Sequence, residues 1–366
     1  MEQFIVSARK YRPQTFKDVV GQQAITNTLL NAIETNHLAQ ALLFTGPRGV
    51  GKTTCARILA RKINQEGYDD PYEDFSFNVF ELDAASNNGV DDIRSIIDQV
   101  RIPPQTGKYK VYIIDEVHML SASAFNAFLK TLEEPPKHAI FILATTEKHK
   151  ILPTILSRCQ IFDFKRITIN DTKEYLMEIA QNQNVQFEEE ALRIISQKAD
   201  GGLRDALSMF DQIVSYTNRN VTYKAVIDNL NILDYDYYFK LTDYLSSGDV
   251  SQALLLFNEI LNNGFDGNNF INGLASHFRN LLVAKDAQTV QLLEVSENIK
   301  QKYLTQSKQT DLGFILTALN LANQCDLVYK NSKNQRLQVE LSLIKMCHIH
   351  SVIQLAQSPS KATDID

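Results

Sequence analysis

The sequence is short of every feature that marks a chain unable to build its own cores. Its 366 residues contain only 4 cysteines, Cys55, Cys159, Cys325 and Cys347, scattered and without a CxxC pair. This excludes a disulfide-stapled scaffold and indicates a reducing compartment. Glycine (14) and proline (9) are sparse, and 44% of residues are apolar against 22% charged, which excludes collagen-like, low-complexity and largely disordered chains. No uncharged run approaches the roughly 18 apolar residues of a membrane span, and MEQFIVSARKYRP carries no apolar signal-peptide core. A cytoplasmic protein without a membrane partner is expected. Positive charge is not in excess either: 37 Lys and Arg against 43 Asp and Glu leave a net charge of −6. The chain is not a polycationic nucleic-acid coat, so any DNA contact must be local.

The charge that is present is segregated. Arg9, Lys10, Arg12, Lys17, Arg48, Lys52, Arg57, Arg61 and Lys62 face only Glu2, Asp18 and Glu34 in the first stretch, whereas Glu66 to Asp98 is strongly acidic. Such asymmetry suits a molecule that meets both phosphates and basic partners.

At roughly 150 residues per domain, the length predicts two or three domains. Between 40 and 165, apolar β-branched runs (ALLFTG, NVFELDA, YKVYIIDE, AIFILATTE) alternate with helix-period stretches (TCARILARKI, VDDIRSIIDQV, ASAFNAFLKTLEE). This alternation predicts a parallel sheet with crossover helices. After Arg166 the strand signal nearly vanishes. Helices are expected over 171–183, with Asp171 as N-cap, over 187–200, over 203–217 after Gly201-Gly202, and over 221–230. From Tyr235 to about Ala356 the pattern is helical throughout. The predicted domains are therefore an α/β domain over 1–165, a small helical lid over 166–231 and an all-α domain over 232–356. The polar tail 357–366 is read as disordered.

Residues 46–53, GPRGVGKT, match GxxxxGK[ST] between a predicted strand and helix, the context a phosphate-binding loop needs. Gly46, Gly49 and Gly51 let backbone N–H groups turn onto phosphate oxygens, beside Pro47, Arg48, Val50 and Thr54. Lys52 would neutralise β- and γ-phosphate charge, and Thr53 would ligate Mg²⁺. The loop alone does not separate kinase, GTPase and ATPase. Asp115 and Glu116, ending the strand YKVYIIDE, supply a carboxylate for the metal and one to polarise an attacking water, which points to hydrolysis and away from a small-molecule kinase. Thr146, after AIFILAT, emerges beside Asp115 if the two strands are neighbours; alone, it is only β-propensity. Arg158, in ILSRCQ, is either a transition-state arginine or a surface residue at a helix end. Arg204 is either a lid residue reaching the γ-phosphate or the partner of Asp205 or Asp211.

Taken together, ARKYRPQTFKDVVGQ, GPRGVGKT, IIDEVHML, LATTE, SRC and GGLRDAL resemble the AAA+ ATPases of the sliding-clamp loader group, over the chain to about residue 215. The resemblance implies a nucleotide-base pocket from Ala8, Tyr11, Arg12, Pro13, Val19 and Val20. It makes Thr146 a sensor, Arg158 a residue completing a neighbour's site, and Arg204 a second sensor. It further implies an open multisubunit spiral held by third-domain collars. Copies of the chain would join delta-like and delta-prime-like subunits in a replicative polymerase holoenzyme, to open a sliding clamp and load it on primed DNA during replication. Longer members of the group also bind the helicase and polymerase; ending at Asp366, this sequence resembles either the shorter core form or a piece of a longer member, which would add those two partners. A Holliday-junction AAA+ helicase motor is the alternative, but the last third shows no winged-helix β-hairpin pattern. Relatives carry a four-cysteine zinc module after the P-loop helix, whereas Lys62 to Val79 contains no cysteine, so no zinc is expected in that manner. The contacts of the acidic-aromatic loop 64–79 are left open. DNA contact is expected at backbone phosphates, with Arg94, Thr106, Lys108 and Lys110 as candidates, though any single one of them reads more readily as a solvated polar residue.

Overall fold

The computed structural model describes residues 5–65 and 76–351. The tail expected at 357–366 and most of the acidic-aromatic loop, 66–75, lie outside the described residues. The chain divides into two compact units, up to Tyr223 and from Lys224 onward.

Five strands form the sheet of the first unit: β1 (Ala41–Thr45), β2 (Val79–Asp83), β3 (Lys110–Asp115), β4 (Ala139–Thr145) and β5 (Gln160–Asp163). Their order is β2-β3-β4-β1-β5 and every pairing is parallel. ALLFT and AIFILAT are buried at each position, as strands covered on both faces must be. Helices α1 (Ser7–Lys10), α2 (Gln23–Glu34) and α3 (Lys52–Gln65) precede α4 (Val90–Val100), α5 (Ala122–Glu133) and α6 (Pro153–Leu156). On one face Leu29, Leu59 and Ile63 pack against Leu42 and Ile142; on the other Ile93, Phe125 and Phe128 pack against Leu43 and Phe141. One consequence governs the site. Thr45 lies in register with Thr145, and Ile114 with Leu143, so the chain leaving β1, β3 and β4 emerges at a single edge, where ligands bind in open parallel sheets.

The same unit continues into α7 (Ile169–Asn182), α8 (Glu189–Lys198) and α9 (Leu203–Tyr216), while α10 (Tyr223–Asn229) falls, after its first residue, in the second unit. Two expectations are corrected here. The N-cap of α7 is Thr168, not Asp171: its hydroxyl accepts from the Asp171 N–H at 3.1 Å and donates to the Asp171 carboxylate at 2.7 Å, placing Asp171 inside the first turn, where the helix dipole favours an acid. The second helix starts at Glu189 because Gln186–Phe187 pairs in parallel with Asn220–Val221 as a two-stranded sheet, which also shortens the helix expected over 221–230. Helix α2 has no counterpart in the sequence reading; it carries neither an acidic first turn nor a basic last turn.

In the second unit, α11 (Tyr235–Ser247), α12 (Val250–Asn262), α13 (Gly267–Val283), α14 (Glu297–Gln309), α15 (Leu312–Tyr329) and α16 (Gln335–Cys347) surround a core that includes Phe257, Phe270, Phe278 and Phe314. Its outer faces expose Leu316 and Leu327 on α15 and Leu337 and Leu341 on α16. No helix among the described residues is long and apolar enough to cross a membrane.

Candidate nucleotide site

The P-loop joins β1 to α3. Gly46, Gly49 and Gly51 have φ of 141°, 76° and 100°, conformations that L side chains resist. At Gly46 a Cβ would also lie 2.3 Å from the Phe164 carbonyl oxygen. Lys52, the first residue of α3, is buried, and its ammonium donates to the Gly46 and Pro47 carbonyls at 2.8 and 2.7 Å. Burial lowers its pKa, while Glu116 and Asp115 act in the opposite sense. Val50 is buried, Arg48 exposed and Thr54 half-buried.

At the end of β3, Asp115 accepts a 2.7 Å hydrogen bond from the Thr53 hydroxyl. A hydroxyl and a carboxylate converging at the mouth of the P-loop form the hard oxygen set that Mg²⁺ takes, with water and phosphate completing its shell. Thr53 and Asp115 therefore fit the metal implied by the motif. Glu116 stands in the left-handed region (φ 47°, ψ 43°), a strain of order 1–3 kcal/mol for a side-chain-bearing residue that the surroundings must hold. Its Oε2 accepts from the Thr146 N–H at 3.2 Å and the Thr146 hydroxyl at 3.0 Å. The strands are thus neighbours as the sequence reading required, and Thr146 meets Glu116 directly. His118, which sequence reasoning passed over, adjoins both: its Nδ1 lies 3.0 Å from Thr145 Oγ1 and 3.4 Å from Glu116 Oε2. The available signal was its position just past the DE pair.

The lid helices complete the cleft. The Arg204 N–H reaches the Gly49 carbonyl at 3.4 Å, and a Cβ on Gly202 would sit 3.3 Å from the Arg48 carbonyl oxygen. At Gly201 (φ 80°) a Cβ would fall 2.6 Å from that of Arg166, so the double glycine lets the chain pass this close. Asp211, offered above as a partner of Arg204, instead accepts from the Ser7 N–H at 2.6 Å and from its hydroxyl. Among the described residues Arg204 has no carboxylate partner. It adds instead to a cationic group: the Arg12 pKa is lowered by burial first, then by Arg57 and Arg204. The segment carrying Ala8, Tyr11, Pro13, Val19 and Val20 bridges lid and P-loop. The Tyr175 hydroxyl donates to the Tyr11 carbonyl at 2.9 Å, and buried Val19 lies 4.0 Å from where a Cβ on Gly51 would sit.

Arg158 faces elsewhere. It pairs with Glu133 at 2.6 Å and donates to the Thr154 carbonyl at 2.6 Å. The DNA candidates do not form one cluster of free charge. Exposed Arg94 pairs with Asp91 at 3.3 Å, while Lys110 sits 5.5 Å over the Phe80 ring and donates to the Gln99 carbonyl. The Thr106 carbonyl accepts from Asn78, and Lys108 is exposed.

A P-loop, an Asp-Glu pair and a threonine on adjacent parallel strand ends, with a helical lid against the loop, define a P-loop ATPase of the AAA+ type. The chain is 42% identical over 93% of its length to DNA polymerase III subunit tau of Bacillus subtilis (strain 168), of which it spans 62%. It is 34% identical over 94% of its length to DNA polymerase III subunit gamma of Buchnera aphidicola (subsp. Baizongia pistaciae), of which it spans 97%. The chain belongs to the DNA polymerase III subunit gamma/tau family. Family models agree segment by segment: DNA polymerase III, delta subunit, over 21–168; DNA polymerase III clamp loader subunit, ATPase lid domain, over 171–219; and DNA polymerase III subunits gamma and tau domain III over 221–361. Among solved structures, the Thermotoga maritima RuvB branch-migration motor is similar at 20% identity and a TM-score of 0.48, over 64% of this chain and 79% of that one.

Proposed function

We propose that the chain is the ATP-hydrolysing motor subunit of a bacterial DNA polymerase III clamp loader, opening a sliding clamp and loading it on primed DNA during replication. The observation that carries the chemistry is the meeting of Glu116 with Thr146 beside Lys52, Thr53 and Asp115. The P-loop N–H groups and Lys52 bind the β- and γ-phosphates, and the segment from Ala8 to Val20, Arg12 included, receives the base. When bound by Thr53 and Asp115, Mg²⁺ supplies charge neutralisation to the phosphates. Glu116 takes the proton of a water as its oxygen attacks the γ-phosphorus; the bond to the β-phosphate oxygen breaks, and ADP and phosphate leave. Thr146 holds Glu116, Arg204 faces the phosphates from the lid, and Arg158 serves the neighbouring subunit.

This reading includes the three-part division at about 165 and 231, cytoplasmic action at the replisome, and assembly with delta-like and delta-prime-like subunits through the exposed leucines of α15 and α16. DNA binding through Arg94, Thr106, Lys108 and Lys110 belongs to the assembled ring, since the chain itself carries −6. No zinc is required, because Lys62 to Val79 offers no cysteine ligand. The test is ATP hydrolysis by the chain assembled with its loader partners, with and without clamp and primed DNA. Wild type should be stimulated by both and Lys52→Ala should be inert. A rate that neither clamp nor DNA changes would sink the loader reading.

A further inference from the structure

We infer that His118 is a positioning residue for Glu116, fixing which of its two carboxylate oxygens faces the attacking water; the inference rests on the ATPase reading. Three groups converge on Glu116 Oε2: the Thr146 N–H at 3.2 Å, the Thr146 hydroxyl at 3.0 Å and His118 Nδ1 at 3.4 Å. Oε1 has no partner among the described residues. One oxygen is therefore anchored and the other left as the base. The left-handed backbone at Glu116 directs its side chain along an uncommon path, so the carboxylate depends on these anchors for its orientation.

The imidazole is itself held from the opposite edge. Its side chain is 6% exposed, and its Nε2 lies 3.3 Å from Glu147 Oε1. Lys150 fixes the other oxygen of Glu147 at 2.8 Å, and the Glu147 N–H donates to Thr145 Oγ1, the same oxygen that faces His118 Nδ1. Rotating the ring would break contacts on both edges at once. A histidine buried merely as packing would need one partner; this one spans the base and the loop 147–151 leading to α6 and Arg158. A misplacement of about 1 Å in a positioned catalytic group can cost roughly 10²-fold in rate.

The experiment measures kcat, KM, nucleotide affinity (a fluorescent ATP analogue) and thermal midpoint for wild type, His118→Ala and His118→Asn. The full chain is used, assembled with loader partners, clamp and primed DNA. Alanine should lower kcat about 10- to 100-fold with KM and affinity within about 3-fold. Asparagine, whose Nδ2 takes the place of Nδ1, should recover most of that loss. A kcat for alanine within about 3-fold of wild type, or above it, overturns the inference. So does an asparagine variant no better than alanine, or a loss of affinity and thermal midpoint in step with kcat. If His118→Ala does not fold, Glu147→Gln at its partly exposed position decides: a lowered kcat at unchanged KM supports the role and a wild-type kcat overturns it. Should wild type hydrolyse no more ATP than Lys52→Ala, the ATPase reading itself fails. Hydrolysis by wild type with an indifferent His118→Ala removes the positioning role alone.

Discussion

If Arg158 completes a neighbour's site, it must first leave Glu133, and the strength of that pair sets what each partner's removal does. The two side chains are 33% and 47% exposed at 2.6 Å. Pairs with this access to water contribute about 0.2–1 kcal/mol, which at RT of about 0.6 kcal/mol is a factor of roughly 1.4 to 5 in the population of free guanidinium. A transition-state arginine is worth roughly 10³ to 10⁵ in rate. Removing Glu133 and removing Arg158 should therefore act in opposite directions and on different scales. In phosphate-release assays of the complete loader with clamp and primed DNA, Glu133→Gln should leave the rate unchanged or raise it by no more than about 5-fold. Arg158→Ala should reduce it by about 10³ or more, with nucleotide affinity retained. Mixing Arg158→Ala with Lys52→Ala chains should restore part of the rate, because some sites then join an intact Lys52 to a neighbour's intact Arg158. A rate for Glu133→Gln as low as that of Arg158→Ala would show that the ion pair, not the freed guanidinium, is the working form. A mixture as inactive as its components would refute action between subunits.

Two further outcomes concern stability. Gly46→Ala combines a forbidden φ with a Cβ 2.3 Å from the Phe164 carbonyl and should cost about 2–4 kcal/mol; Gly51→Ala meets nothing nearer than Val19 at 4.0 Å and should cost less, a ranking that paired thermal melts can reverse. Burial pushes the His277 pKa down to about 3, against 6.5 ordinarily, where Tyr303 and Gln306 enclose the ring at 3.0 and 3.1 Å. Between those values the unfolded chain binds the extra proton, so stability falls as pH falls, by about 1.4 kcal/mol per pH unit below 6.5 and roughly 2 kcal/mol at pH 5. Denaturant midpoints at pH 7 and pH 5 should show this loss in wild type and a smaller one in His277→Asn; equal losses would refute it.

What could be read from the sequence follows the range of the interaction that encodes it. GPRGVGKT is legible because its chemistry lies in consecutive residues whose glycines have few other uses. Helix α4 matches its periodic stretch because three isoleucines and two valines set one face. Thr146 is different: its meeting with Glu116 depends on β3 and β4 being neighbours, and strand order is decided by how whole crossover helices pack. Arg204 is open between phosphate and carboxylate in the sequence, and only the fold shows that one of the carboxylates, Asp211, is taken by Ser7, some 200 residues away. The misplaced cap at Asp171 has a local cause, since Thr168 and Asp171 are both good capping types and bond to each other. Of the partners of His118 only Glu116 is near it in the chain; Thr145 and Glu147 lie at another strand end, at no fixed spacing from it.

The site's own hydrogen bonds bear on how ATP would be received. Lys52 is satisfied by the Gly46 and Pro47 carbonyls, Thr53 by Asp115, and Thr146 by Glu116. For these side chains a nucleotide would exchange existing bonds for new ones, and such exchanges contribute little net free energy; the first N–H groups of α3, which have no partner within the helix, would gain phosphate oxygens. Charge adds to what those N–H groups supply. Lys52 is buried with its charged form disfavoured, while Arg12 and Arg204 lie close enough to repel each other. Polyphosphate would reverse both penalties, drawing the Arg12 segment and the Arg204 helix toward the P-loop. Because Ser7 joins that segment to Asp211 on α9 and Tyr175 on α7 joins it to Tyr11, the binding energy would be delivered to the lid as a unit. Nucleotide charge would thereby act on the placement of the lid against the P-loop.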